Sequence, residues 1–145
     1  MKIFDFGLAK EIPTKKNDAL YNLSMITGSL RYMAPEVALG KPYNLKADVF
    51  SFGILLWEIL SLQKPFLGYN ARIHKKIVLE HGVRPEINPK WSKNIKSLLF
   101  ESWQEEINKR PHFEDISEIL NNELYNKEGI NSGTMDCSNR TARSF

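Results

Sequence analysis

Between Val49 and Leu62 the sequence reads Val-Phe-Ser-Phe-Gly-Ile-Leu-Leu-Trp-Glu-Ile-Leu-Ser-Leu, apolar on nearly every side of a helix. Such a helix is stable in water only when neighbours cover it all round. The run falls short of the ~20 residues that cross a bilayer and it carries Glu58, so it predicts a buried central helix and not a membrane span. Asp48 is the expected N-cap, and Lys64-Pro65-Phe66 the stop. The chain has 145 residues, 42% hydrophobic and 26% charged, enough for one globular domain built around that helix.

The surrounding pattern supplies the cover. Met1 to Phe4 reads as a short strand, and Asp5 to Leu30 has loop chemistry, with Pro13, Gly28 and a Lys-Lys-Asn-Asp cluster. Glu36 to Leu39 can make one helical turn after Pro35. Asn70 to Glu80 reads as an amphipathic helix with Ile73, Ile77 and Val78 on one face, closed by His81-Gly82. Ser92 to Trp103 is a helix with Ile95, Leu98, Leu99 and Trp103 inward. Phe113 to Leu124 is the last, with Ile116, Ile119, Leu120 and Leu124 inward. Beyond about Asn126 the composition turns to Asn, Ser, Gly and Thr, which predicts a flexible tail. The expected division is a domain over 1–124 and a polar tail over 125–145.

Several function classes are disfavoured. The net charge is +3, but the Lys and Arg residues are scattered, whereas a nucleic-acid face concentrates them. One cysteine, Cys137, allows neither an internal disulfide nor a Cys-rich zinc site, and points to a reducing compartment such as the cytoplasm. No apolar signal core follows Met1. His74, His81 and His112 have no partner at metal-ligand spacing and read as surface or helix-end residues.

The chemistry lies in short motifs in fixed order: Asp5-Phe6-Gly7, then Thr27-Gly28-Ser29-Leu30-Arg31-Tyr32-Met33-Ala34-Pro35-Glu36, then Asp48-Val49-Phe50-Ser51-Phe52-Gly53, and finally Asn108-Lys109-Arg110-Pro111. This series resembles the protein kinase family from Met1 to about Leu124. The wording of the second motif, with Trp103 and Arg110-Pro111-x-Phe113, is closest to the tyrosine-kinase-like group, whose members are mainly Ser/Thr kinases. The implied fold class is mainly α: part of a kinase C-terminal lobe, with a short N-terminal strand, an activation segment, then a helical bundle.

The resemblance assigns roles. Phosphoryl transfer needs a cation to offset charge on the phosphate oxygens, and Mg²⁺ prefers carboxylate oxygen. By resemblance Asp5 holds that ion beside ATP, Phe6 packs into the lobe core and aims Asp5, and Gly7 lets the backbone turn. Ser29 matches the hydroxyl of the substrate-docking loop in Ser/Thr kinases. Glu36 and Arg110 match an ion pair tying the activation segment to the late helices. Asp48 matches an Asp that bonds the catalytic-loop backbone, beside its plain reading as an N-cap. Leu55 and Ile59 match supports of the spine beneath the adenine, or are ordinary core. Thr27 and Ser24 are the candidate phosphorylation sites, ahead of Thr14 and Tyr21.

A phosphate-covering Gly-rich loop, a strand Lys and a His-Arg-Asp loop do not occur in this sequence. In the family they precede Asp-Phe-Gly, so the expectation is a chain cut from a longer kinase and inactive alone. The expected partners are a protein substrate and an upstream kinase or regulatory protein. The alternative is a non-catalytic lobe that binds partners.

Overall fold

The computed structural model describes residues 6–7, 9–12, 19–22 and 28–128. The proposed strand at Met1 to Phe4 lies outside them. Among the described residues the structure is helical, apart from one antiparallel bridge in which Tyr21 and Tyr43 exchange backbone hydrogen bonds of 2.8 and 3.1 Å.

Helix α1 spans Pro35–Ala38, with Pro35 at its start, where its missing N–H costs nothing. Helix α2, Lys46–Ser61, is the central element. It begins before Asp48, so the expected cap is corrected: Leu45 is the cap residue and no side chain caps the helix. Asn44 takes over part of that role, its Oδ1 accepting from the Lys46 N–H at 3.0 Å, which lets the helix start two residues early. Leu62, at φ 55°, ends α2 in left-handed backbone.

The stretch expected as one helix over Asn70 to Glu80 is divided. Asn70 caps α3, Ala71–His74, and Lys75–Glu80 continue as a π-helix. The His81 N–H bonds Lys76 O, five residues back, and Gly82 at φ 66° lets Val83 reach back to Ile77. Of the three residues expected on one inward face, Val78 is buried, Ile77 half-buried and Ile73 exposed. His74 is buried too, at 4% exposure, so of its two expected readings it is a helix-end residue, the last of α3, and not a surface one.

Helix α4, Lys93–Ser102, is capped by Ser92, whose hydroxyl accepts from the Ile95 N–H at 3.2 Å. A 3-10 turn, Ile107–Lys109, leads to α5, Phe113–Glu128. Helix α5 runs past Leu124, which is exposed and so corrects its inward reading, while Ile116, Ile119 and Leu120 pack on the cluster beneath.

Two apolar clusters meet on α2. Phe50, Ile54 and Trp57 pack with Ile95, Leu99 and Trp103 of the α4 region, and Val49 packs with Leu98 and Ile116. The opposite side of α2 carries Leu55 and Ile59, with Leu62 just after the helix, all exposed. Leu55 and Ile59 therefore lie on an open apolar face and not in the core of the described residues, because α4 and α5 both pack on the other side.

Candidate functional site

The site is assembled around α1. Tyr32 N–H bonds Ser29 O at 3.1 Å, making the turn that leads into Ala34-Pro35-Glu36. Glu36 and Arg110, 74 residues apart, then form a buried bidentate pair, Nη1 to Oε1 at 2.5 Å and Nη2 to Oε2 at 2.9 Å. Arg110 also donates to Lys46 O at the start of α2 and to Gln104 O after α4. One guanidinium thus ties the docking segment, the central helix and the late turn together.

Sequence reasoning missed the rest of this cluster. The Phe50 ring has two guanidinium carbons near it, that of Arg84 at 5.0 Å and that of Arg110 at 5.2 Å from its centroid. Arg84 donates to Trp103 O and Val78 O, both at 3.1 Å, joining the π-helix to α4. Its buried charge, with Arg110 nearby, pushes its pKa down. On the outer side the Tyr32 hydroxyl donates to Glu58 at 2.5 Å and Lys64 pairs with the same carboxylate, while Arg31 donates to Pro65 O. Bonding to Lys64 and Tyr32 holds the Glu58 pKa below the usual carboxylate range, and the carboxylate in turn raises that of Tyr32. A lone charge inside an apolar run was the signal that Glu58 has partners.

Ser29 and Asp48 come together at a cleft of about 370 Å³, also lined by Gly28, Tyr32, Tyr43 and Ser51. Asp48 opens to solvent, yet enough protein surrounds its carboxyl to raise the pKa. The lining mixes hydroxyls, one carboxylate and apolar side chains.

At the other end of the segment the outcome is mixed. Gly7 lies in a turn closed by Ala9 N–H to Phe6 O at 3.0 Å. Phe6 is 69% exposed and belongs to neither apolar cluster, which corrects the expectation that it packs into the core. Asp5, Thr14, Ser24 and Thr27 lie outside the described residues. Among the described residues no group of three or more His, Cys, Asp or Glu could hold a metal ion. No helix among them is long and apolar enough to cross a membrane.

Comparison with known proteins gives the same array a place. The chain is 38% identical over 121 residues to serine/threonine-protein kinase VIK of Arabidopsis thaliana, covering 83% of this chain and 27% of that protein. It is 37% identical over 122 residues to serine/threonine-protein kinase STY17 of the same plant, covering 83% and 20%. It is 36% identical over 121 residues to human mitogen-activated protein kinase kinase kinase 7, covering 83% and 19%. The chain thus spans about a fifth to a quarter of the length of these curated relatives. A family model described as protein tyrosine and serine/threonine kinase matches residues 1–120, and with it the chain belongs to the protein kinase family, close to the tyrosine-kinase-like serine/threonine kinases.

Proposed function

We propose that this chain is the docking and helical part of a protein kinase that transfers the γ-phosphoryl group of ATP to Ser or Thr hydroxyls of a protein substrate. The observation that carries this reading is the buried Glu36–Arg110 pair, which fixes the segment from Ser29 to Glu36 against α2. A segment held at that end presents its turn at one edge of the cleft lined by Ser29 and Asp48. A peptide laid there would meet the Ser29 hydroxyl. Tyrosine kinases usually carry Pro-Val-Lys/Arg-Trp before Ala-Pro-Glu, whereas this chain has Ser29-Leu30-Arg31-Tyr32, which favours Ser/Thr substrates.

ATP and Mg²⁺ belong to this proposal through Asp5 of the Asp-Phe-Gly motif, together with segments of the kinase family that this sequence does not contain. Bound Mg²⁺ supplies charge neutralisation for the phosphate oxygens. The chain's own described residues anchor the docking segment and orient the acceptor. Leu55 and Ile59 are proposed as supports beneath the nucleotide, and Thr27 and Ser24 as switch sites for an upstream kinase. A cytoplasmic location is part of the same reading, resting on the lone Cys137.

The test uses the full-length protein that contains this sequence. Transfer of labelled phosphate to Ser and Thr peptides, and not to Tyr peptides, is the expected result. Asp5→Ala should abolish it at unchanged fold, and Ser29→Ala should raise KM for peptide more than KM for ATP. Transfer that survives Asp5→Ala undiminished overturns the reading. No transfer from an intact, nucleotide-supplied protein leaves the partner-binding alternative in its place.

A further inference from the structure

His74 is a buried titratable group that the docking cleft does not use. It is the last residue of α3 and 4% exposed, and neither ring nitrogen has a hydrogen-bond partner. Buried polar atoms are nearly always paired. A neutral imidazole tolerates the lapse, but an imidazolium would bury a charge and two N–H donors with nothing to accept them. The ring meets Phe66 edge-on, centroids 5.1 Å apart.

The charges that bear on it are both positive. Arg31 reaches it from the docking segment and Arg84 from the connection after the π-helix; burial, then these two cations, push its pKa below the ordinary 6.5. Its own helix adds the exposed Arg72, and the π-helix that continues it adds the exposed Lys75, Lys76 and Glu80. The turn before Phe66 adds Lys64, which is paired with Glu58.

Phe66 links this group to the docking segment. Its φ of 53° is unusual for a residue with a side chain and persists only where packing holds it. The preceding Pro65 carbonyl accepts the hydrogen bond from Arg31, two residues after Ser29. His74, Phe66, Pro65 and Arg31 thus form a continuous path from α3 to the segment that follows Ser29.

We propose that His74 is an acid-sensitive latch on the docking segment: neutral, it seats α3 against Phe66; protonated, it leaves that site and the Pro65–Arg31 contact loosens. The latch regulates the site proposed above and rests on that reading for its effect on substrate. The direction in pH follows from linkage. A histidine with a lowered folded pKa binds its proton more readily when unfolded. Stability is therefore full above 6.5 and is lost as pH falls from there through the lowered folded value.

The experiment compares the full-length protein with its His74→Leu variant, which is neutral at every pH and similar in bulk. In the wild type the His74 ring C–H resonance should titrate below 6.5. Its Tm should fall more steeply on acidification than that of the variant. KM for a protein substrate should rise several-fold at acid pH in the wild type alone, with KM for ATP moving equally in both. A His74 resonance titrating at or above the ordinary value, equal Tm slopes, or equal KM profiles overturn the latch. If the variant does not fold, the wild-type titration decides. Expected titration and Tm in a protein that transfers no phosphate at any pH would keep the acid sensitivity of α3 and remove the kinase reading instead.

Discussion

At Gly53 an added Cβ would stand 2.7 Å from the Cβ of Ser102, so the bare backbone of α2 meets the Ser102 side chain of α4 there. Alanine would gain about 1 kcal/mol of helix propensity over glycine. Overpacking costs about 1–3 kcal/mol, and here the obstacle is a Cβ fixed to its own helix, so the clash wins. Gly53→Ala should lower stability in chemical denaturation. Ser102→Gly should recover part of the loss in the double variant, and Ser102→Ala none, since the obstructing atom remains. A Gly53→Ala protein as stable as the wild type would show that the helices can separate at no cost.

The Glu36–Arg110 pair is buried, so removing one partner strands the other. Arg110→Met should cost about 3–5 kcal/mol, read from the denaturation midpoint. Arg84→Met should cost less, because the groups it leaves behind are carbonyls and not a buried carboxylate. The two guanidiniums share the Phe50 ring, so the double variant should depart from additivity. Additive losses would mean that Phe50 transmits nothing between them.

Asp48 sets stability against function. Its carboxyl pKa is raised above the ordinary 3.8 by burial, so the folded state binds its proton more readily than the unfolded chain. By linkage, stability falls as pH rises from 3.8 through the folded value, and the full penalty is present above it. Asp48→Asn should therefore raise Tm at neutral pH, with the gain vanishing as pH drops below that window. The same change should lower phosphate transfer by the full-length protein if Asp48 holds the catalytic-loop backbone. A Tm gain that persists unchanged at low pH would show that the carboxyl charge is not its source.

Much of this was legible from residue pattern. The run from Val49 to Leu62 announces α2, Ser92 announces α4, and the separated Glu36 and Arg110 motifs announce a pair that no local periodicity could supply. What was not legible depends on three dimensions. Asp48 looks like a cap by type, but Asn44 captures the Lys46 N–H first. His74 sits in a polar-looking string, and only the folded packing, in which Phe66 meets the ring edge to face, reveals its burial. Arg84 carries no motif; its value lies in two carbonyls and a ring from three different segments.

The open side of α2 carries the last prediction. Leu55 is 42% exposed, Ile59 49% and Leu62 90%, on a helix whose other face is closed by α4 and α5. Burying such a side chain is worth about 1.5–3 kcal/mol, against a net stability of about 5–15 kcal/mol for a whole domain. Contiguous apolar surface of this kind is rarely left to water. These 145 residues expressed alone should therefore self-associate or melt without a sharp transition. Leu55→Lys with Ile59→Glu should shift the chain toward monomer in sedimentation, since both changes fall on the open face and leave the buried clusters intact. In the full-length protein the same pair of changes should destabilise, because there the face would be covered and two charges would be buried. A cooperative thermal transition from a soluble wild-type monomer would contradict the first expectation, and a tolerant full-length variant the second.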